Sequence, residues 1–273
     1  ELYERAGDIQ GQAIAENQLA NAYFDTGRWQ PADENYRRAR EAFDLLGDIY
    51  NRSFAENNLG GIALNQGRLD DALDYYHSAL AALARIGGSE YVLGALHNNL
   101  GATYLRRGEI EAGRDHLYTG LHYFERTQSR DFLPELYRHL AEAALAAGEF
   151  FEAELHAQHA LALARELTMR NEEGNAQRVL GQVRAAQQQW PEAVQLLSES
   201  LHALEAARDT YEAARTRLAL AQVRCARGQC GEAQGLIDQC LEVFSRLSAQ
   251  LDLTAAQALG EQGVSRRPQG GRS

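Results

Sequence analysis

Leucine, alanine and aromatic residues recur three and four apart along most of the chain, with polar residues between them and single glycines at intervals. That spacing places one apolar stripe on each of a series of helices. The pattern also repeats. Asn17-Gln18-Leu19-Ala20, Asn57-Asn58-Leu59-Gly60 and Asn98-Asn99-Leu100-Gly101 align. Arg138-His139-Leu140-Ala141, Arg178-Val179-Leu180-Gly181 and Leu218-Ala219-Leu220-Ala221 continue the series. The anchor leucines Leu19, Leu59, Leu100, Leu140, Leu180 and Leu220 are spaced 40, 41, 40, 40 and 40 residues apart.

Other positions keep the same period. Eight residues after each anchor stand Gly27, Gly67, Gly108, Gly148, Gln188 and Gly228, as expected where a helix ends with positive φ. Two further on come Trp29, Leu69, Ile110, Phe150, Trp190 and Cys230. Small residues follow at Ala32, Ala72, Gly113, Ala153, Ala193 and Ala233, and again at Ala39, Ala79, Gly120, Ala160, Ser200 and Cys240. After this second set comes leucine, with Arg40 the exception. The pattern predicts two antiparallel helices per repeat, with backbones brought close at the small positions. Pro31, Pro134 and Pro191 fall near predicted helix starts, where a missing N–H costs little.

These residues, over roughly 9–247, resemble the tetratricopeptide repeat (TPR) family. The period of 40 exceeds the usual 34 and resembles the long variety of kinesin light chains, LGN/Pins proteins and the sensor arms of MalT-like bacterial regulators. The resemblance implies an all-α solenoid, a right-handed superhelix of antiparallel helix pairs whose first helices line a concave face. Residues 1–8 read as the end of a preceding repeat, because Ala6-Gly7-Asp8 parallels Leu46-Gly47-Asp48. Residues 248–260 read as a capping helix and 261–273 as a disordered tail rich in Gly, Arg and Ser.

Composition narrows the chemistry. The 273 residues carry 27 Lys+Arg against 38 Asp+Glu, a net charge of −11, and every basic residue is arginine. No lysine is present for a P-loop, a Schiff base or a kinase site. The acidic balance argues against general nucleic-acid binding. No apolar run is long enough to span a membrane. The chain starts at Glu1 without an initiator methionine or a signal-peptide layout, and is expected to belong to a longer protein. Three cysteines, Cys225, Cys230 and Cys240, argue against a disulfide framework and for a reducing cytoplasm, with Cys230 and Cys240 as packing residues. No nucleophile-elbow, zincin or dinucleotide motif occurs, so an enzyme and a cofactor are not expected. His156 and His159 lie three apart on one helix face, but no third ligand accompanies them, so a metal is not expected.

In the TPR family, ligands meet positions near the anchor leucine. The resemblance places Asn17, Asn57, Asn98, Arg138 and Arg178 two residues before it, and Asn21 two after it. Phe54 and Arg215 lie five before, and Phe24 one turn beyond. An asparagine amide both donates and accepts, which suits a peptide backbone. A guanidinium suits carboxylate or phosphate. The expected ligand is therefore a protein or peptide segment, an acidic one suiting the arginines, and the chain is expected to be the sensor or scaffold part of a larger bacterial regulatory protein. The alternative is a sugar or metabolite held by a sensor arm. The asparagines equally suit bonds between repeats, and Arg138 and Arg178 equally suit ion pairs with Glu142, Glu135 or Glu173. Self-association through the terminal repeats is a third expectation.

Overall fold

The computed structural model describes residues 8–265. Thirteen helices and no strand occur among them. Contacts divide the chain into two compact units, Glu1–Glu149 and Phe150–Ser273. The first unit holds α1 (Ile9–Asp25), α2 (Trp29–Leu45), α3 (Ile49–Gln66), α4 (Leu69–Ile86), α5 (Glu90–Arg107), α6 (Ile110–Thr127) and α7 (Leu133–Ala146). The second holds α8 (Phe150–Glu166), α9 (Arg170–Ala186), α10 (Trp190–Ala206), α11 (Thr210–Ala226), α12 (Cys230–Leu247) and α13 (Gln250–Ser265). Within each unit every helix packs on the next, and odd-numbered helices also touch the next odd-numbered helix. This is an all-α solenoid of helix pairs.

The turns form where the glycines predict them. Gly27, Gly67, Gly108, Gly148 and Gly228 all have φ between 70° and 87°. Gln188 holds the equivalent place at φ 61°. A side chain there costs about 1–2 kcal/mol. Gln188→Gly is therefore expected to stabilise the chain by about 0.5–1 kcal/mol after the glycine's own entropy is counted, seen as a higher urea midpoint. Helix starts are capped where aspartate precedes them: Asp8 Oδ1 accepts from Gly11 N at 2.9 Å and Asp48 Oδ1 from Asn51 N at 3.0 Å.

Both sets of small residues lie inside. Ala32, Ala72, Ala153, Ala193 and Ala233 are fully buried, as are Ala39, Ala79, Ala160, Ser200 and Cys240. Glycine follows the anchor where the pair approaches closest. A Cβ on Gly101 would stand 2.6 Å from Leu117 Cγ and 3.0 Å from the Gly113 carbonyl oxygen. Gly181 meets Leu197 Cγ at 2.7 Å in the same register. Leu59, Leu100, Leu140, Leu180 and Leu220 are buried as anchors.

Three expectations change. Leu19 is 46% exposed, because no described helix packs on the outer side of α1; Ile9 and Ile14 lie exposed on the same helix. Cys225 and Cys230 form a disulfide, with Cα atoms 4.2 Å apart. An odd count leaves room for one bond, and the turn from α11 to α12 folds the pair together. Cys230 keeps its packing place at 6% exposure. Cys240 is the free buried thiol, its Sγ 3.2 Å from the Ala214 carbonyl oxygen and its pKa pushed up to about 12 by burial. Finally, α13 runs to Ser265, past Gly260, because its Ala256 and Leu259 are buried and extend the apolar stripe. The expectations for residues 1–7 and 266–273 lie outside the described residues.

Candidate functional site

On α3, α5 and α7 the anchor leucines Leu59, Leu100 and Leu140 are buried, whereas Leu19 of α1 is exposed. The two residues before each buried anchor therefore sit at the seam with the next repeat. Asparagines at that seam join one another. Asn99 Nδ2 donates to Asn57 Oδ1 at 2.9 Å, across 42 residues of sequence. Asn58 Nδ2 donates to Asn21 Oδ1 at 3.4 Å, and the Tyr36 hydroxyl donates to the same oxygen at 2.6 Å. Asn98 Oδ1 lies 3.0 Å from His139 Nδ1. The result is a row of amides running over α1, α3 and α5 and ending on His139 of α7. Its members differ in access. Asn21 is exposed, and Asn17, Asn57, Asn58 and Asn99 are half-buried, while Asn98 is fully buried. Asn17 Oδ1 is buried and accepts no hydrogen bond.

The arginines lie elsewhere. Arg138 is 6% exposed and pairs with Glu142 at 3.3 Å and Glu135 at 3.8 Å, in unit one. Arg178 is 1% exposed; its Nη1 donates to Glu212 Oε2 and, at 3.3 Å, to Asn175 Oδ1. Arg215 is half-buried, 3.1 Å from Glu212 Oε1 and 3.8 Å from Asp252 Oδ1. All three face carboxylates supplied by the fold. A guanidinium with 1% exposure presents nothing to a partner in this conformation. Phe24 stacks on Trp29 at 6.3 Å, and Phe54 packs on Tyr50 at 4.9 Å; both are half-buried.

Residues 51–125 match the model of the tetratricopeptide repeat family. The TPR repeat is thus matched in that segment, and the helix pairs on either side share its fold. No curated protein matches it. Among solved structures it is similar to a Rap protein complexed with competence and sporulation factor, at 14% identity and TM-score 0.69, covering 94% of this chain and 77% of that one. Aspartyl phosphate phosphatase F from Bacillus subtilis is similar at 14% identity and TM-score 0.67, covering 96% and 72%. A signal-transduction ATPase with a TPR sensor from Pyrococcus horikoshii is similar at 14% identity and TM-score 0.61, covering 92% of this chain and 38% of that one. Identities this low speak for the fold alone. TPR arrays are in general protein-interaction scaffolds, and the coarse description of a TPR-repeat interaction module fits this fold.

One cluster escaped the family positions. His97 Nδ1 lies 3.0 Å from His116 Nδ1, and His77 Nε2 lies 3.2 Å from the Tyr104 hydroxyl. Tyr104 stacks on His116 at 5.3 Å. Burial, then His116 and His77, push the His97 pKa down to about 4; burial and His77 lower His116 against the pull of Asp115. The folded state thus holds fewer protons than the unfolded chain between about pH 6.5 and 4. Stability falls as pH falls through that window. One unit is about 1.4 kcal/mol, and partial exposure of the ring reduces the effect to about 1–2 kcal/mol. Denaturation at pH 7 and pH 4 should show the His97 contribution as the difference between the unmodified chain and His97→Asn, since Asp209, raised to about 6, acts with the opposite sign in both. His156 Nε2 lies 3.4 Å from Glu152 Oε1. Among the described residues no three His, Cys, Asp or Glu side chains are arranged to hold a metal ion.

Sequence reasoning missed Asn58 and Asn99, although both stand beside the anchors in the aligned tetrapeptides. Their signal was the doubled asparagine itself. It also missed Glu212, the partner of Arg178, which lies one repeat further along.

Proposed function

We propose that the TPR first-helix face of unit one binds an extended segment of a protein partner. The observation that carries this is the amide row, with Asn17 Oδ1 buried and unsatisfied at its start. Amides bonded to each other keep spare N–H groups and lone pairs. An extended backbone alternates donors and acceptors and suits such a row. Asn21, Asn57 and Phe54 from the family positions take part, joined by Asn58 and Asn99. The expected acidity of the partner loses its main support, because Arg138, Arg178 and Arg215 already face carboxylates.

The wider context belongs to the same proposal. A signalling ATPase with a TPR sensor, of which this chain spans 38%, supports a non-catalytic sensor or scaffold arm of a larger regulator; the expected bacterial source rests on composition alone, and the expected cytoplasmic location loses its cysteine argument to the Cys225–Cys230 bond. The Rap structure complexed with competence and sporulation factor supports recognition of a ligand on this fold. No helix among the described residues is long and apolar enough to cross a membrane. Self-association is a separate proposal, which exposed Ile9, Ile14 and Leu19 would carry.

Two substitutions test the face. Asn58→Asp keeps size but exchanges donors for acceptors, and should weaken a bound peptide by about tenfold with the melting temperature nearly unchanged. Asn98→Ala removes a buried bond and should cost about 1–3 kcal/mol of stability while leaving affinity alone. Calorimetry with a peptide selected on the wild-type chain reads both; equal affinity in Asn58→Asp rejects the face.

A further inference from the structure

The sixth repeat, in unit two, departs from the others at one pair of positions. Five and ten residues after the anchor leucine stand Phe24 and Trp29, Leu64 and Leu69, Leu105 and Ile110, Leu145 and Phe150, and Ala185 and Trp190. Apolar side chains thus flank the tight turn inside each of these repeats. Phe24 stacks on Trp29 at 6.3 Å, and Ala185 and Trp190 pack on one core cluster. After Leu220 the same two positions hold Cys225 and Cys230, and the contact between them is a covalent bond. Both cysteines are buried, at 5% and 6% exposure. The chain between them is open. Ala226, Arg227 and Gly228 are exposed, and Gln229 gives α12 no side-chain cap. Helix ends of this kind fray at little cost, which lets a small reagent reach the sulfurs.

We propose that the Cys225–Cys230 bond is a redox-sensitive latch on the α11–α12 pair, opened by a small dithiol. One thiolate of the dithiol attacks a protein sulfur, breaks the S–S bond and forms a mixed disulfide. Its second thiolate then displaces the protein sulfur from that mixed disulfide. The protein gains two electrons and two protons, and the dithiol leaves as a cyclic disulfide. The two protein sulfurs are now non-bonded neighbours and need roughly 3.5–4 Å between them. Two thiols also fill less space than the Phe–Trp or Leu–Leu pair of other repeats, so packing does not replace the lost bond. The helix ends therefore part at the turn. Ala221, Ala233 and Ile237, buried further along, hold the rest of the pair together. Cys240 takes no part, because it is fully buried and burial keeps its thiol protonated.

Hydrogen exchange of the full chain, oxidised and after treatment with dithiothreitol, tests the latch without denaturant. Iodoacetamide labelling of the folded chain counts the thiols released. Reduction is expected to expose Cys225 and Cys230 to labelling. It should also lower amide protection over 222–236, in α11 and α12, at least about tenfold, and leave α9 unchanged. Glutathione disulfide should restore the protection. Cys225→Leu with Cys230→Leu rebuilds the pair of the second repeat, and should hold the oxidised level of protection with or without dithiothreitol. Cys225→Ala with Cys230→Ala should match the reduced chain under both conditions. Melting curves check that the variants fold, and the comparison on the unmodified chain stands without them. A bond that yields only once the chain is unfolded overturns the proposal, as does reduction that leaves protection over 222–236 unchanged.

Discussion

Replacing Arg178 with alanine should lower the stability of the chain by about 3–5 kcal/mol. The guanidinium is the largest fully buried side chain, 1% exposed, and it meets the Glu212 carboxylate and the Asn175 amide inside unit two. Removing it strands a carboxylate in a poorly hydrated place. A second carboxyl would feel the loss. Asp209 caps α11 through Glu212 N at 3.0 Å, and its pKa is raised to about 6 by burial and by Glu212, with Arg178 pulling the other way. Without Arg178 only Arg215, at 3.1 Å from Glu212, still offsets the repulsion between the two acids. The double variant Arg178→Met with Glu212→Gln should recover much of the loss, because no buried charge is stranded and half-buried Arg215 keeps Asp252 at 3.8 Å. Denaturant midpoints of the single and double variants measure the difference. Charge reversal at Arg178 would therefore report on folding before it reported on any ligand.

Phe124→Ala carries a comparable cost, about 3–5 kcal/mol, in unit one. The ring is fully buried and joins three elements. It stacks on Phe132, before α7, at 5.4 Å and meets Tyr91 of α5 edge-on at 6.2 Å. Gly94 leaves it room: a Cβ there would stand 2.8 Å from Phe124 Cε1. Leu117, Leu136 and Leu140 complete the cluster. Alanine would leave a cavity that three rigid helices cannot close. The contrast is Phe151→Ala on α8. That ring is 84% exposed, and its loss should change stability by no more than about 0.5 kcal/mol. Thermal melts of the two variants, taken side by side, check the pair of expectations.

The repeat was legible because it is written in residue size and backbone need. Small residues at a 40-residue period become buried helix contacts, and the turn positions take positive φ even where Gln188 replaces glycine. The positions beside the anchors were legible as helix positions, but their hydrogen-bond and ion-pair partners were not. Two residues before an anchor lies on the seam between repeats, and a helical wheel drawn for one repeat lacks the neighbour that decides the outcome. Asn57 meets Asn99, 42 residues away, and Arg178 meets Glu212, 34 away. The same residue type can therefore end accessible, as Asn21 does, or enclosed, as Asn98 is. The Cys225–Cys230 bond escaped for a related reason: a spacing of five becomes close only when a turn falls between the two residues.

The first-helix face of unit one is proposed to receive an extended segment. Its most direct test places a photo-crosslinking side chain at exposed Gln18, in register with Asn58 and Asn99, or at Phe151 on the second-helix face of unit two. Peptides selected from a random linear library on the unmodified chain are then irradiated with each. The account predicts crosslinks from position 18 and none from position 151. Crosslinks from position 151 alone, or from neither, would contradict it.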